Sequence, residues 1–257
     1  MSAAARRLAA PGLVVPVAAL LLWEAASRAG WLSPRYFPPP TVIALTLARL
    51  LGAGEFWADA TATLSRLAAA FAVAAAAGVP LGLAMGLWRP LRRLLEPAVA
   101  LLYPLPKIAL LPFFMILLGV GERAFVLTGA VTAFFQILIS TAGGAAAIDP
   151  TLVEVGRHYG AGRVALFTRV ILPAALPAVL TGLRLGLGLA LITVIAVEFV
   201  TAKSGLGHLV FRHWQMLLTA EMFAAFALIG LMGLGATRGL KAVQRRALAW
   251  KDDPGWL

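Results

Sequence analysis

The side chains that could do chemistry are few in this chain and lie far apart. It contains no cysteine, which excludes a thiolate metal site, a cysteine nucleophile and a disulfide framework. The three histidines, His158, His208 and His213, lack the spacing of metal ligands, so we predict no metal site. A membrane enzyme would need convergent His, Asp and Glu groups, and the sequence places none together. We therefore predict no catalytic residues in this chain.

A phosphate-binding loop is also missing from the sequence. Such a loop ends in Gly-Lys-Ser or Gly-Lys-Thr. The one Lys-Ser pair, Lys203 and Ser204, follows Ala202 where the glycine would be needed. We therefore expect this chain to bind no cofactor, and any energy from ATP must be supplied by another polypeptide.

The most conspicuous polar stretch is EVGRHYGAGRVALFTRVILPAALP, residues 154–177. Asp149 and Pro150, just before it, are favoured at the first positions of a helix. Glu154 shares a face of that helix with Arg157 and His158, which follow three and four residues later. The pattern predicts a short helix that begins at residue 150.

Gly160 and Gly162 then predict a helix stop and a turn. A second helix, at about 163–169, has Val164 and Phe167 on one side, and Pro173 is expected to end it. The segment 149–173 is therefore predicted to be an ordered helix–turn–helix with an apolar edge. Such an edge needs a cover, either a cytoplasmic protein or the helix ends of the chain itself.

The chain as a whole is too apolar for a water-soluble domain. Of its 257 residues 61% are hydrophobic and 13% are charged, with a mean hydropathy of +0.90, whereas soluble domains are about 25% charged. We therefore expect a lipid bilayer around most of it. The net charge is +11, and the basic residues lie between apolar blocks. They do not form a face in which basic and aromatic residues alternate, as in nucleic-acid-binding proteins. We predict no nucleic-acid partner.

Six stretches have the length of about 20 apolar residues that a spanning helix needs, which predicts an all-α, polytopic membrane protein. Thirteen Lys and Arg residues fall in one set of gaps and seven, Arg66 among them, in the opposite set. The excess predicts that both termini and the 149–173 segment are cytoplasmic. We interpret the first stretch as an uncleaved anchor, although the charge pattern would also fit a cleaved signal peptide. The stretches are 8–26, 63–88, 98–118, 124–145, 174–199 and 220–239.

These spans divide the chain into three parts. Residues 1–57 hold the first helix and a Pro-rich external connector, 58–240 form a core of five helices, and 241–257 form a basic cytoplasmic tail. In the core, the glycines of GVPLGLAMG (Gly78, Gly82 and Gly86) lie four residues apart on one helix face. Small residues at this spacing predict close approach of another helix, within the subunit or in a dimer.

A few polar residues inside the spans are candidates for a translocation path. Arg184 either lines an inner gate and attracts an anion, or makes a structural pair with a neighbouring helix. Lys107 and Glu198 are path candidates that could instead mark helix ends or structural pairs. Gln136 could hydrogen-bond a substrate or another helix. Broken helices in membranes tend to line cavities, and the third span contains the residues that would break it, namely Tyr103, Pro104, Pro106 and Pro112.

The 149–173 segment resembles the EAA loop of ABC importer permeases. That pattern is Glu-Ala-Ala, three residues, Gly, nine residues and Ile-x-Leu-Pro, and Glu154, Gly160 and 170–173 match its spacing. Val155 and Gly156 replace the two alanines, and Val170 replaces the isoleucine. Further stretches are similar to the branch that serves nitrate, sulfonate and taurine. They are YPLPKIALLPFF (103–114), GVGE (119–122), LPAALPAVLTGLRLGLGLA (172–190), VEF (197–199) and KSGLGHL (203–209).

The resemblance covers roughly residues 58–240 and implies a type I ABC importer transmembrane fold in the bacterial inner membrane. It implies two permease copies, a cytoplasmic ATPase subunit that binds ATP and Mg²⁺, and an extracytoplasmic solute-binding protein. The implied substrate is a small, anionic solute such as a sulfonate, taurine or nitrate. A pyrimidine vitamin precursor and a stand-alone secondary transporter remain as alternatives. The residues implied to couple to the ATPase are Glu154, Arg157, Gly160, Ala161, Val164, Phe167 and Pro173.

Overall fold

The chain folds as a bundle of helices. The computed structural model describes residues 3–52 and 54–248, without the side chains of residues 3–13 and 55. No strand occurs in these ranges, which agrees with the predicted all-α class. A 3₁₀ turn at Lys107–Leu110 and a π turn at Phe167–Ile171 join neighbouring helices. The helices are α1 Ala3–Arg28, α2 Pro40–Leu51, α3 Gly54–Leu87, α4 Arg89–Leu102, α5 Leu111–Leu118, α6 Glu122–Ala146, α7 Pro150–His158, α8 Arg163–Leu166, α9 Leu172–Thr201, α10 Leu206–Gln215 and α11 Thr219–Ala247.

Four helical stretches in the described part of the chain are long and apolar enough to cross a membrane. They are Phe56–Leu87, Glu122–Ala146, Arg163–Thr201 and Thr219–Ala247, and α4 with α5 makes a fifth if the bent pair counts as one span. The predicted first span, 8–26, lies within α1, but the side chains of residues 8–13 are outside those that the structure describes. The structure thus accounts for up to five of the six predicted spans. The predicted tail, 241–257, begins inside α11, and residues 249–257 lie outside the description.

The predicted third span, 98–118, is not one straight crossing. The chain bends by 91° between α4 and the part that begins at Lys107. Pro104 and Pro106 lie at the bend, and Pro112 lies in the first turn of α5. Proline has no backbone N–H and its ring clashes with the preceding helical turn, so a continuous helix is disfavoured here. The bend opens space between this part of the chain and the helices behind it.

The centre of the bundle is formed by α3, α6 and α9, which approach one another closely at glycines. A Cβ atom on Gly82 would lie 2.7 Å from Thr141 Cβ and 2.8 Å from the Leu138 carbonyl oxygen. A Cβ atom on Gly86 would lie 2.5 Å from Ala145 Cβ. The predicted close packing of the Gly78–Gly82–Gly86 face is confirmed, and its partner is α6 of the same chain. On the other side of α6, Gly144 faces Ala178 of α9 in the same way.

Candidate functional site

The 149–173 segment begins as the sequence predicted. The Asp149 carboxylate accepts a hydrogen bond from the backbone N–H of Thr151 at 2.8 Å and caps α7. This hydrogen bond lowers the pKa of the Asp149 carboxyl group below its usual value. Pro150 occupies the first turn of α7, where its missing N–H costs nothing. A free, solvated loop would need neither feature.

Gly160 terminates α7 in a left-handed conformation, with φ of +76°. Its N–H donates to the Arg157 carbonyl at 2.9 Å, and the N–H of Ala161 donates to the Gly156 carbonyl at 3.1 Å. This pair of bonds is a Schellman motif, which fixes the direction in which the chain leaves the helix. The predicted stop at Gly160 is therefore confirmed.

Gly156 lets the two short helices of the segment touch. A Cβ atom there would lie 2.9 Å from Leu166 Cδ1 and 3.3 Å from Val170 Cγ2. Because of this contact, alanine at position 156, as in the general EAA pattern, would require the Leu166 and Val170 side chains to shift. Leu166 is buried by the contact, and it holds the segment in one shape.

The second helix does not end at Pro173, and this prediction was wrong. α8 continues through the π turn into α9, so that Arg163–Thr201 is one uninterrupted helical stretch. The N–H of Leu172 donates to the Phe167 carbonyl, five residues back, as in a π turn. Pro173 lies in the first turn of α9, directly after the wider turn, which relieves the clash that a proline ring makes inside an α-helix.

The apolar edge of the segment is uncovered within the described part of the chain. Tyr159 is 90% exposed and Val164 is 77% exposed, and Phe167 is exposed as well. Ala161 is half-buried, and Glu154 and Arg157 are exposed. The sequence left two possible partners for this edge, and one of them, the chain's own helix ends, does not cover it. The edge is available to another protein.

A cavity of about 320 Å³ lies where the α4–α5 bend faces α6 and α9. Its wall includes Lys107 from the bend, Thr132 and Phe135 from α6, and Thr193 from α9. The Lys107 Nζ atom donates to the carbonyl oxygens of Leu102, at 3.1 Å, and Tyr103. It also lies 5.3 Å from the Tyr103 ring centre and 4.9 Å from the Phe135 ring centre. The cavity therefore carries a cation at its wall.

The other predicted path residues lie elsewhere. Gln136 is half-buried, and its amide donates to Ser140 Oγ at 3.2 Å on the same helix. Arg184 is half-buried on α9 and forms no ion pair with any residue that the structure describes. Neither residue is part of the cavity wall. Of the four candidates, Lys107 is the one that lines this cavity.

The fourth candidate, Glu198, belongs to a buried ion network that the sequence did not reveal. Its carboxylate is 2.7 Å from Arg66 Nη1, and the two side chains are 0% and 3% exposed. Arg66 Nη2 also binds Glu122 Oε1 at 2.5 Å. Counting Arg66 as a loop charge was therefore a mistake. One available signal was that Arg66 and Glu198 are opposite charges within two predicted spans, where charged residues pair with one another.

This network attaches the α9–α10 connector to α3. Arg66 donates to the carbonyl and the hydroxyl oxygen of Ser204, at 2.7 and 2.9 Å. Glu198 accepts the N–H of Gly207 at 3.0 Å, and Thr63 Oγ1 accepts the N–H of Leu206 at 2.8 Å. Of the two interpretations of Glu198, the geometry supports a structural pair. Its role is to hold the KSGLG turn in place.

Apolar spans, a cavity with a cation and an exposed, ordered interhelical segment together define a polytopic membrane transport protein. The sequence profile of one family matches residues 78–246, well over half of the chain. The chain therefore belongs to the family described as the binding-protein-dependent transport system inner membrane component. It is a permease subunit of an ABC transporter, and it works with a separate ATP-binding subunit and a solute-binding protein.

Two curated relatives indicate the branch of the family. The taurine transport system permease protein TauC of Escherichia coli (strain K12) is 33% identical over 239 residues, which cover 91% of this chain and 87% of that protein. The bicarbonate transport system permease protein CmpB of Synechococcus elongatus is 32% identical over 196 residues, covering 76% and 70%. This chain is thus similar to the permeases of a taurine transport system and of a bicarbonate transport system.

The fold has a counterpart among solved structures. A chain of the MetNI methionine ABC transporter in an inward-facing conformation superimposes with a TM-score of 0.64 at 22% identity. The match covers 72% of this chain and 93% of that chain. At this level of identity the likeness shows that the two chains share the permease fold.

Proposed function

We propose that this permease forms the path of an ATP-driven importer for a small anion, with a sulfonate, taurine or a nitrate-like ion as the solute class. The observation that carries the proposal is the cation on the cavity wall between the bend, α6 and α9. The similarity to permeases for taurine, which bears a sulfonate group, and for bicarbonate supports it. The net charge of +11 favours the same sign of solute.

We propose further that the 149–173 segment couples the permease to the ATP-binding subunit. Its exposed apolar edge, with Val164 and Phe167, is a surface that another protein would cover. The Asp149 cap and the Schellman motif at Gly160 keep the edge in one shape. Glu154 and Arg157 would add polar contacts at its rim. Because α8 continues into α9, a displacement of the edge would be carried directly into a spanning helix.

The roles of the other subunits of the importer follow from this assignment. ATP and Mg²⁺ are bound by the partner ATPase, two copies of this permease enclose the path, and a solute-binding protein delivers the solute from outside. The Lys and Arg distribution supports an orientation with both termini and the coupling segment in the cytoplasm. The outer end of the bundle is then the end that contains the Arg66–Glu198 network.

The coupling role predicts that Val164→Asp prevents binding of the ATP-binding subunit. A charge in the middle of a buried apolar contact is costly, so we expect at least a tenfold loss of ATP-binding subunit retained on the tagged permease. The matched control is Val120→Asp, because Val120 is also 77% exposed and lies outside the segment. Equal retention by the two variants would refute the coupling role.

The solute class is tested by uptake into proteoliposomes that contain the complete importer with its solute-binding protein. We expect uptake of at least one of taurine, ethanesulfonate, nitrate and bicarbonate that depends on ATP. ATP-driven uptake of a pyrimidine vitamin precursor alone would favour that alternative. Uptake by the permease without the ATPase would favour the secondary transporter.

A further inference from the structure

The cavity at the α4–α5 bend has the properties of a binding site for a small anion. Its volume of about 320 Å³ is within the range of about 300–1,000 Å³ that small-molecule sites occupy. Thr132 and Thr193 add hydroxyl oxygens to a wall that is otherwise mostly apolar. The Thr132 hydroxyl donates to the Thr128 carbonyl of its own helix at 3.0 Å, so Thr193 has the hydroxyl group that a solute could receive a hydrogen bond from. No carboxylate lines the cavity within the described residues. The Lys107 charge is therefore not neutralised by an acid at this site.

The Lys107 ammonium is held in place with one donor to spare. An ammonium group has three N–H bonds, and two of them are directed at the carbonyl oxygens of Leu102 and Tyr103 at the end of α4. The Tyr103 and Phe135 rings flank it. These contacts fix the amine at the cavity wall, and they leave its third N–H for a solute.

The position of the cavity across the bilayer is one that a transported solute would pass. Thr132 lies ten residues after the first residue of α6, a distance of about 15 Å along the helix axis. The hydrocarbon core of a bilayer is about 30 Å thick, so the cavity lies near its middle. Ionisable residues at this depth commonly mark the route of a substrate or an ion.

We infer that Lys107, with the Thr193 hydroxyl as a second donor and Thr132 in the adjoining wall, forms a transient site for an oxyanion group, sulfonate, nitrate or carbonate, midway through the permease. The inference rests on the proposed function, because it needs an anionic solute. The site favours anions over neutral solutes of similar size through the one charge it contains. It is separate from the specificity of the solute-binding protein, since it acts after the solute has been released from that protein.

Charge removal at Lys107 tests the site. The wild-type importer is first shown to take up one of taurine, ethanesulfonate, nitrate or bicarbonate, each of which has an anionic group, and that solute is then used as the probe. We expect Lys107→Gln to lower kcat/KM for its uptake at least tenfold, and Lys107→Arg to lower it less than threefold. Lys241→Gln, which removes a lysine charge from α11, is the matched control and should transport normally. Normal uptake by Lys107→Gln overturns the inference.

The absence of cysteine from the chain allows a sharper version of the test. Lys107→Cys gives one reactive thiol, which is treated with a cationic (aminoethyl), an anionic (sulfonatoethyl) or a neutral (methyl) methanethiosulfonate. Only the cationic reagent should restore uptake of the anion, to within threefold of the wild type. The bound anion should also slow the modification, which mass spectrometry of the permease chain follows. Wild-type importer treated in parallel controls for thiols on the partner subunits.

The possible failures can be distinguished. If the cationic and neutral reagents restore uptake equally, Lys107 fills space and the inference is wrong, while the proposed function stands. If the thiol reacts with no reagent, the cavity is closed to water and the inference is likewise wrong. If the wild-type importer takes up none of taurine, ethanesulfonate, nitrate and bicarbonate, the proposed solute class fails, and this is known before any substitution is made.

Discussion

Arg66→Met is expected to lower the free energy of unfolding of the permease by about 3–5 kcal/mol, the cost of leaving one partner of a buried ion pair alone. Glu198 is completely buried, so its carboxylate would lose its charged partner in the interior of the bundle. The α9–α10 connector would also lose the two hydrogen bonds from Arg66 to Ser204. Denaturant unfolding of the purified permease in detergent measures the change.

The Arg66–Glu198 pair can be separated from general damage by a double variant. Glu198→Gln keeps an oxygen for the Gly207 N–H but carries no charge, so the Arg66→Met, Glu198→Gln protein should recover at least about 1 kcal/mol relative to Arg66→Met. Arg92→Met, which breaks the exposed pair with Glu96, is the control and should cost less than about 1 kcal/mol. Purely additive effects of the two buried substitutions would contradict the proposed pairing.

Gly82→Val should prevent α3 from packing on α6. The new Cβ atom would lie 2.8 Å from the Leu138 carbonyl oxygen, and because this is a backbone atom, the helices themselves would have to separate. We expect a loss of about 3 kcal/mol or more, at the upper end of the range for overpacked cores. The measurement is the yield of monodisperse permease and its melting temperature.

Gly143→Val is the matched control for this packing effect. Gly143 also lies in a spanning helix, but nothing lies within 4 Å of the Cβ atom that it would gain. The two substitutions change helix propensity by the same amount, so a difference between them reports the contact of α3 with α6. Equal behaviour of Gly82→Val and Gly143→Val would show that this contact contributes little.

The features that the sequence predicted well are local. The Asp149 cap, the stop at Gly160 and the Gly78–Gly82–Gly86 face each depend on residues that are neighbours along one helix. Helix capping and the helical repeat are sufficient to predict them. The prolines near residue 104 also indicated a break in the third span. Their positions could not give its 91° angle, because the residues after the bend contact α6 and α9, which are distant along the chain.

The features that the sequence did not reveal join distant parts of the chain. Arg66 is 56 residues from Glu122 and 132 residues from Glu198, and the one signal for pairing was that Arg66 and Glu198 are opposite charges within predicted spans. The position of Lys107 on a cavity was also not visible in the sequence, because the cavity wall is formed by the bend, α6 and α9, which are separate along the chain. The error at Pro173 has another cause. A proline usually ends a helix, and the π turn that allowed the helix to continue depends on its surroundings.

The unbroken helical stretch Arg163–Thr201 has a mechanical consequence. Its 39 residues correspond to a rod about 58 Å long. A tilt of about 10° around its midpoint would move both tips by about 5 Å in opposite directions, by simple trigonometry on that length. One tip contains the exposed edge around Val164, and the other contains Glu198 and the turn that it anchors. A small push at the first would therefore appear as an opposite swing at the second, reduced by any bending at the π turn or at Pro177, which both lie in the first part of the stretch.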